Sequence, residues 1–178
     1  MAASRRAVVL FVPPPVCVAV DEIRMRWDPV MCARIGAHVT LVHDVVDHER
    51  ARALVAAIAA STAPFTVTLT GTDHWGRAAH GVYLHVADPT GGITSLHSRL
   101  AGLEAPRWAR VSFRAHCTLV HSRTTEATVA ARAWAELEGY HAGWDVDVAA
   151  IDIIEMDEAT GWCSVEQFTL TPTSLVAD

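Results

Sequence analysis

Lysine is absent from this chain of 178 residues, and all 14 basic residues are arginine. They face 20 acidic residues, giving a net charge of −6. That balance excludes the broad basic surface that grips long nucleic acid, but not a local pocket for a small nucleotide or a short RNA end. The lysine-free, alanine-rich composition reads first as a GC-rich coding sequence, with one or two arginines at most chosen as planar forks for phosphate. The four cysteines, Cys17, Cys32, Cys117 and Cys163, include no CxxC pair. They read as reduced and mostly buried thiols of a cytoplasmic protein. No apolar run is long enough to cross a membrane. Arg5-Arg6 before Ala7–Val12 resembles the start of a signal peptide, but Pro13-Pro14-Pro15 ends the run after six residues, so it reads as a first strand. No stretch rich in glycine, serine or proline separates domains, so residues 1–178 read as one bilobal domain, with approximate repeats at 7–87 and 88–171, and a monomer is expected.

Strand and helix signals interleave along the chain. Residues 7–12, 37–43, 65–70, 81–87 and 113–121 read as strands, and 144–156 with 162–170 as a closing hairpin over an Asp157–Gly161 turn. Helices are expected over 16–27, 47–60 (capped by Asp47), 93–103 and 125–137, with a break at Asp28-Pro29 and a turn over Gly71–Gly76. The fold class implied is α+β: two pseudo-symmetric, mainly antiparallel sheets with outer helices and a central cleft.

One peptide occurs twice. Ala37-His38-Val39-Thr40-Leu41-Val42-His43 and Ala115-His116-Cys117-Thr118-Leu119-Val120-His121 agree at six of seven positions, 78 residues apart. A repeat at that distance suggests two equivalent halves. In a strand, residues i and i+2 share a face, roughly 6.5–7 Å apart, so each copy presents an imidazole beside a hydroxyl. Two such strands facing one cleft would surround a small anion with two imidazoles and two hydroxyls. One histidine could then serve as base and the other as acid, while the hydroxyls hold phosphoryl oxygens.

Two His-x-Thr strands in a chain of this size resemble the two-histidine phosphoesterase superfamily, in particular its 2′-5′ RNA ligase and cyclic phosphodiesterase branch. The resemblance rests on His38-Val39-Thr40-Leu41 and on Phe113-Arg114-Ala115-His116-Cys117-Thr118-Leu119. Gly81–Val86 followed by Ile93–Leu103 also looks like the strand and helix that precede the family's second motif. Members often carry proline before each motif histidine; here both positions are alanine, Ala37 and Ala115. The resemblance implies a bilobal fold and a site of His38, Thr40, His116 and Thr118, with His38 the proton donor and His116 the acceptor. It implies the metal-independent opening of 2′,3′-cyclic or related cyclic phosphates of nucleotides or RNA ends, with no cofactor. The alternatives are RNA 2′-5′ end joining or end processing, and a catalytically silent nucleotide-binding module.

Other residues are secondary. Arg123 follows the second motif closely enough to reach a phosphate, and Tyr83 or Trp75 could stack on a base. His43 and His121 stand five residues after each motif histidine, so simple alternation turns them to the opposite face, in a structural role. Cys117 alternates away from His116 and Thr118 in the same way, a poor placement for a nucleophile. His74, His80, His85, His97 and His141 show no ligand-like spacing, which makes a metal-dependent hydrolase the weaker alternative.

Overall fold

The computed structural model describes residues 5–76, 80–108, 111–157 and 160–171. Its strands are β1 (Arg6–Phe11), β2 (His38–Val42), β3 (Phe65–His74), β4 (Val82–Ala87), β5 (His116–Val120), β6 (His141–Val148), β7 (Ala150–Asp157) and β8 (Gly161–Thr169). Its helices are α1 (Val16–Trp27), α2 (Pro29–Arg34), α3 (His48–Ala59), α4 (Gly92–Leu100), continued by a 3-10 turn over Ala101–Leu103, and α5 (Ala127–Leu137). The Asp47 carboxylate caps α3 by accepting from Arg50 N at 3.0 Å, as its sequence position suggests.

Three elements depart from the sequence reading. Pro29 begins a helix as well as ending one. The Asp28 carboxylate accepts from Met31 N at 3.0 Å with Pro29 in the first helical position, so α2 starts where α1 stops. Gly71 does not start a turn: the register of β3 shifts between Leu69 and Thr72, so the glycine is absorbed into an irregularity and the strand runs on to His74. Residues 144–156 are not one strand. They divide at Ala149 into β6, which pairs with β3, and β7, which pairs with β1. The β7–β8 hairpin pairs from Ala150 opposite Thr169 to Asp157 opposite Gly161. Residues 158 and 159 of its expected turn lie outside the described residues.

The strands form one antiparallel sheet in the order β6-β3-β4-β5-β2-β1-β7-β8. The two small sheets expected from the sequence are its halves, β6-β3-β4-β5 and β2-β1-β7-β8. They meet at a short seam where Val39 of β2 pairs with Cys117 of β5. Laid flat, β6 and β7 would be six strand spacings apart, roughly 29 Å. With Ala149 the one residue between them, Val148 and Ala150 lie at most about 7 Å apart. The sheet therefore folds back on itself, and the motif strands β2 and β5 lie side by side at its centre.

The element order β1-α1-α2-β2-α3 is followed, after β3, by β4-α4-β5-α5, which groups β4 with the second motif and not, as the expected repeat bounds had it, with residues 7–87. Alternating residues of the central strands (Val8, Leu10, Val39, Leu41, Cys117, Leu119) join Val20, Val55, Ile58, Ile93, Leu96, Leu100 and Ala130 in one apolar core on the helix-covered face. Full burial of each large aliphatic side chain contributes on the order of 1.5–3 kcal/mol. On the opposite face Ala7, Val9, Ile35 and Ile154 form a smaller cluster with Phe11, Met31 and Trp162. The His-x-Thr side chains belong to neither core. No described helix is long and apolar enough to cross a membrane.

Candidate active site

The antiparallel pairing of Val39 with Cys117 decides the geometry. Continued one step each way, that register sets His38 opposite Thr118 and Thr40 opposite His116. Directly opposed residues share a face, so all four side chains project from the face opposite to buried Val39 and Cys117. The opposed pairs have Cβ atoms about 4.5–5.5 Å apart, and diagonal neighbours about 7–8 Å. The imidazoles thus occupy one diagonal of a small rectangle and the hydroxyls the other. Among the described residues neither threonine hydroxyl has a protein hydrogen-bond partner, so both remain free to donate.

Each imidazole is held in the same way. His38 Nδ1 lies 2.9 Å from the carbonyl oxygen of Gly36, and His116 Nδ1 lies 2.7 Å from that of Arg114. A carbonyl can only accept, so Nδ1 carries the proton in both rings. Nε2 is then the lone-pair site of each neutral imidazole and the second donor of each imidazolium. Burial holds the pKa of His38 down at about 4; donation to Gly36 opposes the shift, and the charges of Arg24, His116 and His43 add to it. Burial lowers His116 too, opposed by donation to Arg114 O and helped by the Arg114 and His85 charges. Cys117, between them on the buried side, is fully covered, and burial raises its thiol to about 11. It is no nucleophile at neutral pH.

These shifts carry a stability prediction. Histidine in the unfolded chain titrates near 6.5, above the folded value of His38. The unfolded state therefore binds more protons between these values, and the contribution present above pH 6.5 is lost as pH falls toward 4. Thermal melts at pH 7, 6, 5 and 4 are expected to show a falling midpoint, with a smaller fall in a His38→Gln variant. A midpoint that rises on acidification would contradict this.

A matched irregularity changes the face of the last residue in each motif. In β1–β2, Val8 pairs with Val42 but Val9 pairs with Thr40, leaving Leu41 as an extra residue. In β4–β5, Val82 pairs with Val120 but Tyr83 pairs with Thr118, leaving Leu119 extra. These are β-bulges at equivalent positions. Each places two successive residues, Leu41-Val42 and Leu119-Val120, in the same core. His43 and His121 consequently return to the face of the motif histidines, which corrects the alternation argument. His38, His43 and His121 all respond to the charge of His116, in keeping with this. The carbonyl of bulged Leu41 accepts from His97 Nδ1 at 2.9 Å, which gives that α4 histidine a structural task.

The strand ends are pinned reciprocally. Asp28, from between α1 and α2 of the first repeat, accepts from His121 N at 2.8 Å and from Thr124 Oγ1 at 2.7 Å. Glu104, which follows α4 in the second repeat, accepts from His43 N at 3.1 Å. Each repeat thus supplies a carboxylate that fixes the motif strand of the other. Arg24, only 1% exposed, donates to Ile35 O at 2.7 Å and to Asp21 at 2.6 Å, bracing the segment whose next carbonyl orients His38.

The flanks of the two histidines differ. His38 is opposite Phe11, while His116 is opposite His85. Beside His116, Tyr83 gives its hydroxyl proton to Asp73 at 3.0 Å and accepts from Arg114 at 2.7 Å. His85 Nε2 lies 3.2 Å from the same Asp73 carboxylate. Trp75 stacks on Tyr83 at 4.3 Å and meets the His116 ring edge-on at 5.1 Å. Tyr83 is completely buried, so it offers no face to a ligand; Trp75 is 39% exposed, with the Arg114 guanidinium over its ring at 5.5 Å. Arg123 lies in the loop after β5 and lines a pocket of about 510 Å³ with Arg5, Arg107, Trp108 and Val111. The quartet does not line this pocket. His43 links the two regions, its ring stacked on Trp108 at 4.4 Å. Among the described residues no cluster of three or more His, Cys, Asp or Glu side chains has a geometry that could hold a metal ion.

The bent antiparallel sheet with its covering helices is shared with a group of solved structures. TT0787 of Thermus thermophilus aligns with a TM-score of 0.70 at 18% identity, covering 93% of this chain and 97% of that one. A structure described as a phosphoesterase gives 0.68 at 21% identity, covering 95% and 99%. E. coli LigT complexed with NADP+ gives 0.66 at 21% identity, again covering 95% and 99%. Other LigT structures hold 3′-AMP, ATP or phosphate. No curated protein sequence matches. The chain matches the 2′-5′ RNA ligase superfamily over residues 12–160, and it belongs to that family.

Proposed function

We propose that this protein is a phosphodiesterase that opens 2′,3′-cyclic or related cyclic phosphates of nucleotides, with His38 and His116 as the proton-transfer pair. The observation that carries the reading is the symmetric hold on the two imidazoles: each gives its Nδ1 proton to the carbonyl two residues before it. Both Nε2 atoms are thereby kept for chemistry. Water attacks phosphorus, and neutral His116 takes its proton at Nε2. The bond from phosphorus to one ribose oxygen breaks, and protonated His38 donates its Nε2 proton to that oxygen. Thr40 and Thr118 donate to the non-bridging oxygens, where fixed donors count most if charge grows there in the transition state. With a 5′-hydroxyl in place of water as the nucleophile, the same groups would open the cyclic end and join the two strands.

The assignment of His38 as acid follows the family resemblance. A phosphate bound between the rings supplies the negative charge that raises both pKa values and lets one imidazole stay protonated near neutrality. The nucleotide complexes of LigT support a small nucleotide as the ligand, and the part-exposed Trp75, edge-on to His116, is placed to contact its base. Neither proton transfer needs a metal. Hydrolysis of a panel of 2′,3′-cyclic nucleotides, ADP-ribose cyclic phosphate and short RNAs with cyclic ends is expected to survive exhaustive EDTA treatment. Abolition by EDTA with rescue by zinc or manganese would point to a metal-dependent hydrolase instead.

A further inference from the structure

Beyond the quartet lies a concentration of positive charge that a chain of net charge −6 does not lead one to expect. Arg5 precedes β1, Arg107 and Trp108 precede β5, and Arg123 follows it, yet all four line one pocket of about 510 Å³. Asp44 organises three of them. Its Oδ1 accepts from Arg5 Nε at 2.9 Å, and its Oδ2 accepts from Arg107 and from Trp108 Nε1. Burial would raise the Asp44 pKa, but hydrogen bonds from Arg107, Trp108 and Arg5 hold it at about 2, so it stays ionised. One carboxylate against three guanidinium groups leaves a surplus of two positive charges.

The donors are not exhausted. Arg5 uses Nε on Asp44, which leaves both of its terminal nitrogens. Arg107 uses Nε and Nη2, which leaves Nη1. The Arg123 guanidinium makes no hydrogen bond to any described residue, and its backbone N–H is fixed by donation to His121 Nδ1 at 3.0 Å. That contact ties the pocket to the end of β5, as the stacking of His43 on Trp108 ties it to the end of β2. From Thr118 to His121 the chain advances about 10 Å. A ligand whose reacting phosphate sits between His38 and His116 would therefore reach the arginines only with a group some way from that phosphate.

Resting on the phosphodiesterase reading, we infer that Arg5, Arg107 and Arg123 form a second anion site, for a terminal phosphoryl or pyrophosphoryl group on the same substrate. The preferred substrate is then a nucleotide that carries a cyclic phosphate at one end and a phosphomonoester or pyrophosphate at the other. Guanidinium forks match such oxygens in shape and in charge.

The test compares adenosine 2′,3′-cyclic phosphate with its 5′-phosphorylated form, and with a dinucleotide that has a cyclic end and a 5′-hydroxyl. The 5′-phosphorylated compound is expected to have a kcat/KM roughly tenfold or more above the 5′-hydroxyl compound, mainly through KM. Arg123→Gln and Arg107→Gln should each bring that ratio toward one. Equal rates in the wild type would overturn the second site and leave the phosphodiesterase reading standing. A preference for the dinucleotide would also overturn it, because a bridging phosphodiester brings one charge where two are accommodated. If no compound is hydrolysed, the phosphodiesterase reading fails, and calorimetric titration with inorganic pyrophosphate tests the anion site by itself. Binding roughly tenfold weaker in Arg123→Gln, at an unchanged melting temperature, supports it; no binding to the wild type overturns it.

Discussion

Replacing His38 or His116 with alanine is expected to lower kcat/KM by ~10²–10⁴-fold, the usual size of a general acid–base contribution. Each imidazole lies on the sheet face opposite the helix-packed core with Nδ1 committed to a carbonyl, so alanine removes a proton carrier and leaves the ladder intact. The double variant should be little worse than either single, because the second group has nothing to complete once the first is gone. Thr40→Val and Thr118→Val keep β-branching and lose one donor. Their deficit should be smaller, and should appear in kcat if the hydroxyl holds developing charge or in KM if it binds the ground state. Steady-state kinetics on one cyclic nucleotide decides this; additive losses in the double variant would mean that the histidines work independently.

Asp28→Ala should be the most damaging substitution outside the quartet. The carboxylate is 1% exposed and accepts three hydrogen bonds, from Met31 N, His121 N and Thr124 Oγ1. Its loss removes the cap of α2, worth about 1 kcal/mol. It also strands a backbone N–H and a hydroxyl, at about 1–3 kcal/mol. A total near 3 kcal/mol corresponds to a fall of about 6–12 °C in melting temperature for a chain of this length. Because Asp28 fixes the end of β5, activity should fall by more than the unfolded fraction explains. Glu104→Ala, which frees only His43 N at 3.1 Å, should cost less. A melting temperature for Asp28→Ala within about 2 °C of the wild type would contradict the pinning role.

The quartet was legible because its information is local: alternation within five residues fixes which side chains share a face, and the duplicated peptide says that two such strands exist. The second histidine pair was not. His43 and His121 return to the face of the motif histidines through bulges at Leu41 and Leu119, and a bulge is a property of the pairing with β1 and β4 rather than of the motif itself. The signal was present in faint form, since Leu41-Val42 and Leu119-Val120 are adjacent apolar pairs where strict alternation would place a polar residue. Helix α2 was hidden because proline both ends helices and begins them, and only the Asp28 cap distinguishes the cases. The division of 144–156 into β6 and β7 depends on the bend of the whole sheet, which no window of residues encodes. Arg123 could be singled out by its nearness to the second motif. Arg5 and Arg107 could not, because Asp44 gathers them from distant parts of the chain. Tyr83 and Trp75 looked equivalent in sequence; the stacking of one on the other leaves only Trp75 exposed.

On the proposed mechanism two imidazoles divide acid and base work on one phosphate. The most direct test is the pH dependence of kcat/KM for one cyclic nucleotide in the wild type, His38→Ala and His116→Ala. The expected wild-type profile is a bell, the signature of a coupled acid–base pair. His38→Ala should lose the alkaline limb and His116→Ala the acidic limb, each at a strongly reduced rate. A wild-type profile with one limb, or variants that both keep the full bell, would contradict the claim.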